Sequence, residues 1–187
     1  MAPHRQLEHF TVDFSLIQMG WSADRLQIIH DSHGKPRIQS QEPELAMHDI
    51  SISHCRVGED CSAMVAIGLG EMGCDMENER DTLRRIAGRA FIQEEGHAES
   101  SLSQLAALWT VKESMYKAFG PSLDFREDLR VILPHSFNAP DLTSWICTAS
   151  VRGRPYKWKI WKQYSPITSA PFWLCCGPLL AKSTEEN

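Results

Sequence analysis

At 187 residues and 42% hydrophobic content, the chain can bury a sizeable core as one compact domain or as two small halves. A net charge of −5 argues against generic nucleic-acid binding, and no apolar run approaches the roughly eighteen residues of a membrane span. Residues 1–14 lack a basic region followed by an uninterrupted apolar run, so no signal peptide is expected and the compartment is read as cytoplasmic.

Taken in chain order, residues 1–20 give mixed signals that include a short helix. Residues 25–29 and 37–38 read as extended segments flanking a Gly34-Lys35-Pro36 turn with a projecting cation. Residues 50–54 and 63–68 read as strands, and residues 73–77 as a third. Asn78 is the expected N-cap of a helix running through Phe91, and Gln93-Glu94-Glu95-Gly96 breaks the chain after it. Residues 100–103 cap a long helix that Gly120-Pro121 ends. Strands follow at 129–133, 145–151, 156–161 and 171–176, with a turn at Gly153-Arg154-Pro155, and residues 183–187 read as a frayed tail. Helices among antiparallel-type strands indicate an α+β fold.

The long helix holds the densest chemistry. Wound at about 100° per residue, it puts Trp109, Lys112, Glu113, Tyr116 and Lys117 on one face, and Leu108, Val111, Met115, Ala118 and Phe119 on the other. The first face is open to two readings: a solvated surface with a Glu113–Lys117 pair, or a working surface. On the strand at residues 73–77, alternation sets Asp75 and Glu77 on one face and Cys74 and Met76 on the other. Alone, this is an ordinary exposed strand edge. With Glu113 it makes a set of hard oxygen donors suited to Mg²⁺, with Lys112 and Lys117 placed to hold phosphates. Ser53-His54 closes the alternating run that begins at Ile50.

The cysteines, at 55, 61, 74, 147, 175 and 176, include no Cys-x-x-Cys pair and read as reduced thiols. The His54/Cys55/Cys61 spacing fits no common zinc pattern and is discounted.

In this order, Gly34-Lys35-Pro36, Ser53-His54, Gly73-Cys74-Asp75-Met76-Glu77 and Trp109-Thr110-Val111-Lys112-Glu113-Ser114-Met115-Tyr116-Lys117 resemble the 4′-phosphopantetheinyl transferase superfamily. The likeness is greatest to its larger, pseudo-dimeric branch, typified by the surfactin-synthetase activator. It covers residues 25–120 well and the rest in outline. Cys74 and Met76 replace the usual Ile or Val flanks, and only 33 residues precede the Gly-Lys-Pro turn, where that branch carries a complete first half-domain.

The resemblance implies two similar α+β halves around a coenzyme A site, here with a shortened first half over residues 1–60 and a second half over 61–187. It implies transfer of the phosphopantetheine arm of coenzyme A to a serine of an acyl or peptidyl carrier protein, dependent on Mg²⁺. Asp75, Glu77 and Glu113 would hold the metal, and Lys112 and Lys117 the phosphates. Lys35, Ser53 and His54 would bind the 3′-phosphate end. Asp75, Glu113 and Lys117 form the catalytic group, with Glu113 the preferred base, directly or through a water. A monomer or weak homo-oligomer is expected.

On the expected helix at 79–91, Arg80, Arg84, Arg85 and Arg89 are opposed only by Glu79 and Asp81. This is either the solvated side of an amphipathic helix or a docking surface for an acidic carrier protein, and the two are compatible. Two other readings stand beside the enzyme: a non-catalytic relic that binds coenzyme A or a carrier, and an unrelated Mg²⁺-dependent phosphohydrolase.

Overall fold

The computed structural model describes residues 3–179 except 23, 58, 59 and 140. The expected tail at 183–187 and the side chain of Cys61 lie outside the described residues. Among those described, two antiparallel sheets and four α-helices form the α+β fold expected from the sequence.

The chain opens with α1 (Pro3–Gln18), which presents Val12 and Leu16 to the first sheet. That sheet has the order β1 (Leu26–His30), β2 (Pro36–Ser40), β3 (His48–Val57), β4 (Asp60–Leu69), with the short α2 (Pro43–Ala46) between β2 and β3. The β1–β2 turn is built on Asp31, whose carboxylate accepts from the backbone N–H groups of His33 and Lys35. Gly34 supplies the positive φ of 81° that this turn needs. Alternation divides β3 between two neighbours. Ile50 and Ile52 turn to the α1 core, whereas the hydroxyls of Ser51 and Ser53 bond across to β5 (Gly73–Asn78). The boundary expected at 60/61 falls within the β3–β4 hairpin, because β4 pairs along its length with β3.

The second sheet runs β5, β9 (Pro171–Gly177), β8 (Arg154–Tyr164), β7 (Ser144–Val151), β6 (Leu129–Ile132). Across one face lies α4 (Leu102–Phe119), burying Leu105, Leu108, Val111 and Met115 against Trp158, Ile160 and Trp173. Ser101 caps it by accepting from Gln104 N–H at 3.1 Å, and Gly120, at φ 102°, ends it. The helix α3 (Thr82–Ala90) packs Leu83 and Ala87 beside it. No helix of the described residues is long and apolar enough to cross a membrane.

Two expected boundaries are corrected. Asn78 does not cap a helix: β5 pairs with β9 as far as Asn78 and Phe172, and the Asn78 amide donates to Arg56 O. The helix therefore starts at Thr82. The β7–β8 turn is Arg152-Gly153, both with positive φ, as a two-residue hairpin loop of matching twist requires. Arg154 and Pro155 already pair with Val151 and Ser150.

Candidate active site

β5 is the seam between the sheets. Its Cys74 and Met76 face the first sheet, where the Cys74 thiol donates to Ser51 O and Met76 packs on Cys55. Its Asp75 and Glu77 face α4. Gly73 makes this approach possible, because a Cβ there would lie 1.8 Å from Ser114 O. The β5–α4 junction thus opens on a cavity of about 750 Å³ whose lining includes His54, Asp75, Glu77, Arg80, Glu113 and Lys117.

Within it, one Asp75 oxygen accepts from Lys117 Nζ at 2.7 Å and from Ser53 Oγ at 2.9 Å. Glu77 accepts from Arg80 at 2.7 Å and from Asn78 N–H at 2.9 Å, yet burial still pushes its carboxyl upward. Glu113 is pushed up to about 7, chiefly by burial and then by the charge of Asp75, with Lys117 opposing. Three carboxyl groups share one partly dry cavity with two cations, Lys117 and Arg80, which leaves one acid group in excess. A small hard cation relieves that excess, as does a proton on Glu113.

The donor set therefore fits Mg²⁺, which needs only one or two protein carboxylates beside water and substrate oxygens. Among the described residues no three His, Cys, Asp or Glu side chains already form a ready coordination cluster. Lys117 and Arg80 hold two of the three carboxylates instead, and loading would draw on those pairs.

Lys117 also walls a second cavity of about 390 Å³, beside Lys35, Arg37, Tyr116 and Phe119. Here Lys35 Nζ donates to Asp49 at 2.7 Å and to Ala118 O at 3.1 Å. Asp49, not singled out from sequence, also accepts from Arg37 and from Met72 N–H. Lys35, Ser53, His54, Asp75, Glu77, Glu113 and Lys117 thus gather along two adjoining cavities.

Lys112 does not. Its side chain is fully buried, and Nζ donates to Glu95 at 2.7 Å, Phe125 O at 2.7 Å and Ala90 O at 2.9 Å. All three ammonium donors are spent in the core, which corrects the expectation that Lys112 holds phosphate. Its partner Glu95 also accepts from Ile92 and Val131 N–H, so it is a structural counter-ion rather than part of a surface break. Phe125, tethered through its carbonyl, stacks on Trp109 at 5.2 Å and meets Tyr116 at 5.4 Å. No local signal separates the buried Glu95 from its exposed neighbours Gln93 and Glu94.

The four arginines also part company. Arg80 precedes α3 and lines the cavity, and Arg84 ties down Ala98 O at 2.6 Å and Ser100 O at 2.8 Å. Arg85 and Arg89 are exposed on α3. Among the cysteines, Cys74, Cys147, Cys175 and Cys176 are free thiols, and burial holds Cys74 near 11 and Cys147 near 12, which suits neither to nucleophilic work.

No curated protein matches the chain. A family model does, over residues 71–172, from the turn before β5 into the start of β9. The match takes in Asp75, Glu77, Glu113 and Lys117, and leaves Lys35, Ser53 and His54 outside it. On that match, covering more than half of the sequence, the chain belongs to the 4′-phosphopantetheinyl transferase superfamily.

Proposed function

We propose that the protein transfers the phosphopantetheine arm of coenzyme A to a serine hydroxyl of an acyl or peptidyl carrier protein, with Mg²⁺ as cofactor. The observation that carries this reading is the convergence of Asp75, Glu77 and Glu113 with Lys117 on one cavity at the β5–α4 junction. Family membership supports phosphopantetheinyl transfer in general and sets aside an unrelated phosphohydrolase.

The reaction joins a poor nucleophile to an anionic electrophile. It needs charge neutralisation, alignment and a proton acceptor. Bound Mg²⁺, held by Asp75, Glu77 and Glu113, would supply Lewis-acid neutralisation of the diphosphate. Ser53 and Lys117 fix the Asp75 carboxylate from two sides. Lys117, standing between the two cavities, steadies phosphate oxygens and the departing adenosine 3′,5′-bisphosphate. Glu113 accepts the proton of the attacking serine, directly or through a water. Lys35 and His54 receive the 3′-phosphate end of the coenzyme, Lys35 from the second cavity. Arg85 and Arg89 meet an acidic carrier on the exposed side of α3.

One observation favours a second reading. Lys117 and Arg80 already neutralise two of the carboxylates, as a relic that only binds coenzyme or carrier would allow. Incubation with coenzyme A, Mg²⁺ and apo carrier proteins from fatty-acid, polyketide and nonribosomal-peptide systems, followed by weighing each carrier, separates the two. An enzyme adds one phosphopantetheine arm to at least one carrier, and a relic adds none.

A further inference from the structure

We propose that Arg80 is a resident counter-cation of the carboxylate cavity, holding Glu77 in the metal-free protein and passing to the substrate's diphosphate once a divalent cation takes Glu77. This rests on the reading of the cavity as a metal and diphosphate site.

The placement of Arg80 is specific. It stands between the last residues of β5 and the first turn of α3, where its carbonyl accepts from Leu83 N–H at 3.0 Å. The backbone is thereby fixed while the side chain projects into the cavity. Its guanidinium sits 2.7 Å from Glu77, and the two ends differ sharply in exposure, at 47% for Arg80 and 11% for Glu77. The carboxylate is the buried, immobile partner, and the arginine is the one free to swing.

Charge makes the exchange favourable. Asp75, Glu77 and Glu113 share the cavity with two cations bonded to them, Lys117 and Arg80. A divalent ion among the carboxylates would leave a surplus of positive charge, which an incoming diphosphate cancels. A half-exposed ion pair holds Glu77 only weakly, so releasing it costs little. The planar fork of a guanidinium, once released, matches two phosphate oxygens at once. Arg84 and Arg85 cannot substitute, since one is spent on loop carbonyls and the other is exposed on α3.

Opposite signs on two ligands test the idea. The probes are Mg²⁺ alone, and inorganic pyrophosphate in the presence of Mg²⁺, both followed by titration calorimetry on the wild type, Arg80→Gln and Arg85→Gln. A pair worth at most ~1 kcal/mol corresponds to about fivefold in affinity. Arg80→Gln is therefore expected to bind Mg²⁺ alone up to about fivefold more tightly, and pyrophosphate several-fold more weakly. Arg85→Gln should change neither. Arg80→Lys keeps the charge without the fork, and should return Mg²⁺ affinity toward wild type while recovering pyrophosphate only in part.

Weaker binding of both ligands by Arg80→Gln would make Arg80 a mere prop for Glu77 and overturn the proposal. Unchanged pyrophosphate affinity would overturn the transfer step. A wild type that takes up no Mg²⁺, with or without pyrophosphate, would instead remove the metal reading of the cavity, and this proposal with it.

Discussion

Replacing Lys112 by Met should destabilise the protein rather than blunt its affinity for coenzyme A. The substitution keeps the apolar stem and removes the ammonium that serves Glu95, Phe125 O and Ala90 O, all within 2.9 Å. Glu95 would be left as a buried carboxylate supported only by the Ile92 and Val131 N–H groups. Breaking a buried pair in this way costs about 3–5 kcal/mol. For a chain of this size each kcal/mol moves Tm by about 2–4 °C, so a loss of roughly 6–20 °C is expected. The assay is thermal unfolding followed by circular dichroism, with Glu95→Gln and the double variant alongside. The double variant should recover part of the loss, because a neutral amide at position 95 leaves no charge stranded while its carbonyl still accepts from Val131 N–H. A Lys112→Met protein that melts like the wild type, with a raised KM for coenzyme A, would refute this reasoning and return Lys112 to the phosphates.

Glu113 should make the metal-free protein lose stability as pH rises. Its folded pKa of about 7 lies above the unfolded value of 4.5, so the native state holds the extra proton between them and stability falls across that window, then levels. In EDTA, Glu113→Gln should therefore melt above the wild type at pH 8, by up to ~3 kcal/mol, and near it at pH 5; an equal offset at both would contradict the assignment. The double variant Arg85→Glu with Arg89→Glu should flatten the salt dependence of kcat/KM for the carrier without altering KM for coenzyme A, and an unaltered slope would move docking elsewhere. Lys35→Ala should raise KM for coenzyme A, and less so for an analogue lacking the 3′-phosphate, whereas equal losses would make the Lys35–Asp49 pair purely structural.

What could be read from sequence was local. Alternation at Ile50–Ser53 and at Asp75–Glu77, the turn at Gly34, a cap within residues 100–103 and the stop at Gly120 are each written within a few residues, and each is found in place, the cap at Ser101. The errors come from partners far along the chain. Asn78 is a fair helix cap until Phe172 claims it for the sheet. Lys112 belongs on a wet face by helical winding alone, and only the folding of Glu95 and Phe125 over it makes that edge dry. Arg80 looks like one of four helix cations, yet the late start of α3 leaves it facing Glu77. Asp49 carried no motif at all, and its value lies in the three groups that fold toward it.

In the proposed reaction the β5–α4 carboxylates and Lys117 carry phosphopantetheinyl transfer. Mass spectrometry of an apo carrier protein after incubation with coenzyme A, Mg²⁺ and either the wild type, Asp75→Ala or Glu113→Ala tests it most directly. The wild type should add one phosphopantetheine arm to the carrier serine, and both variants, still folded by circular dichroism, should add none. Full transfer by either variant at saturating Mg²⁺, or none by the wild type on any carrier class, would contradict it.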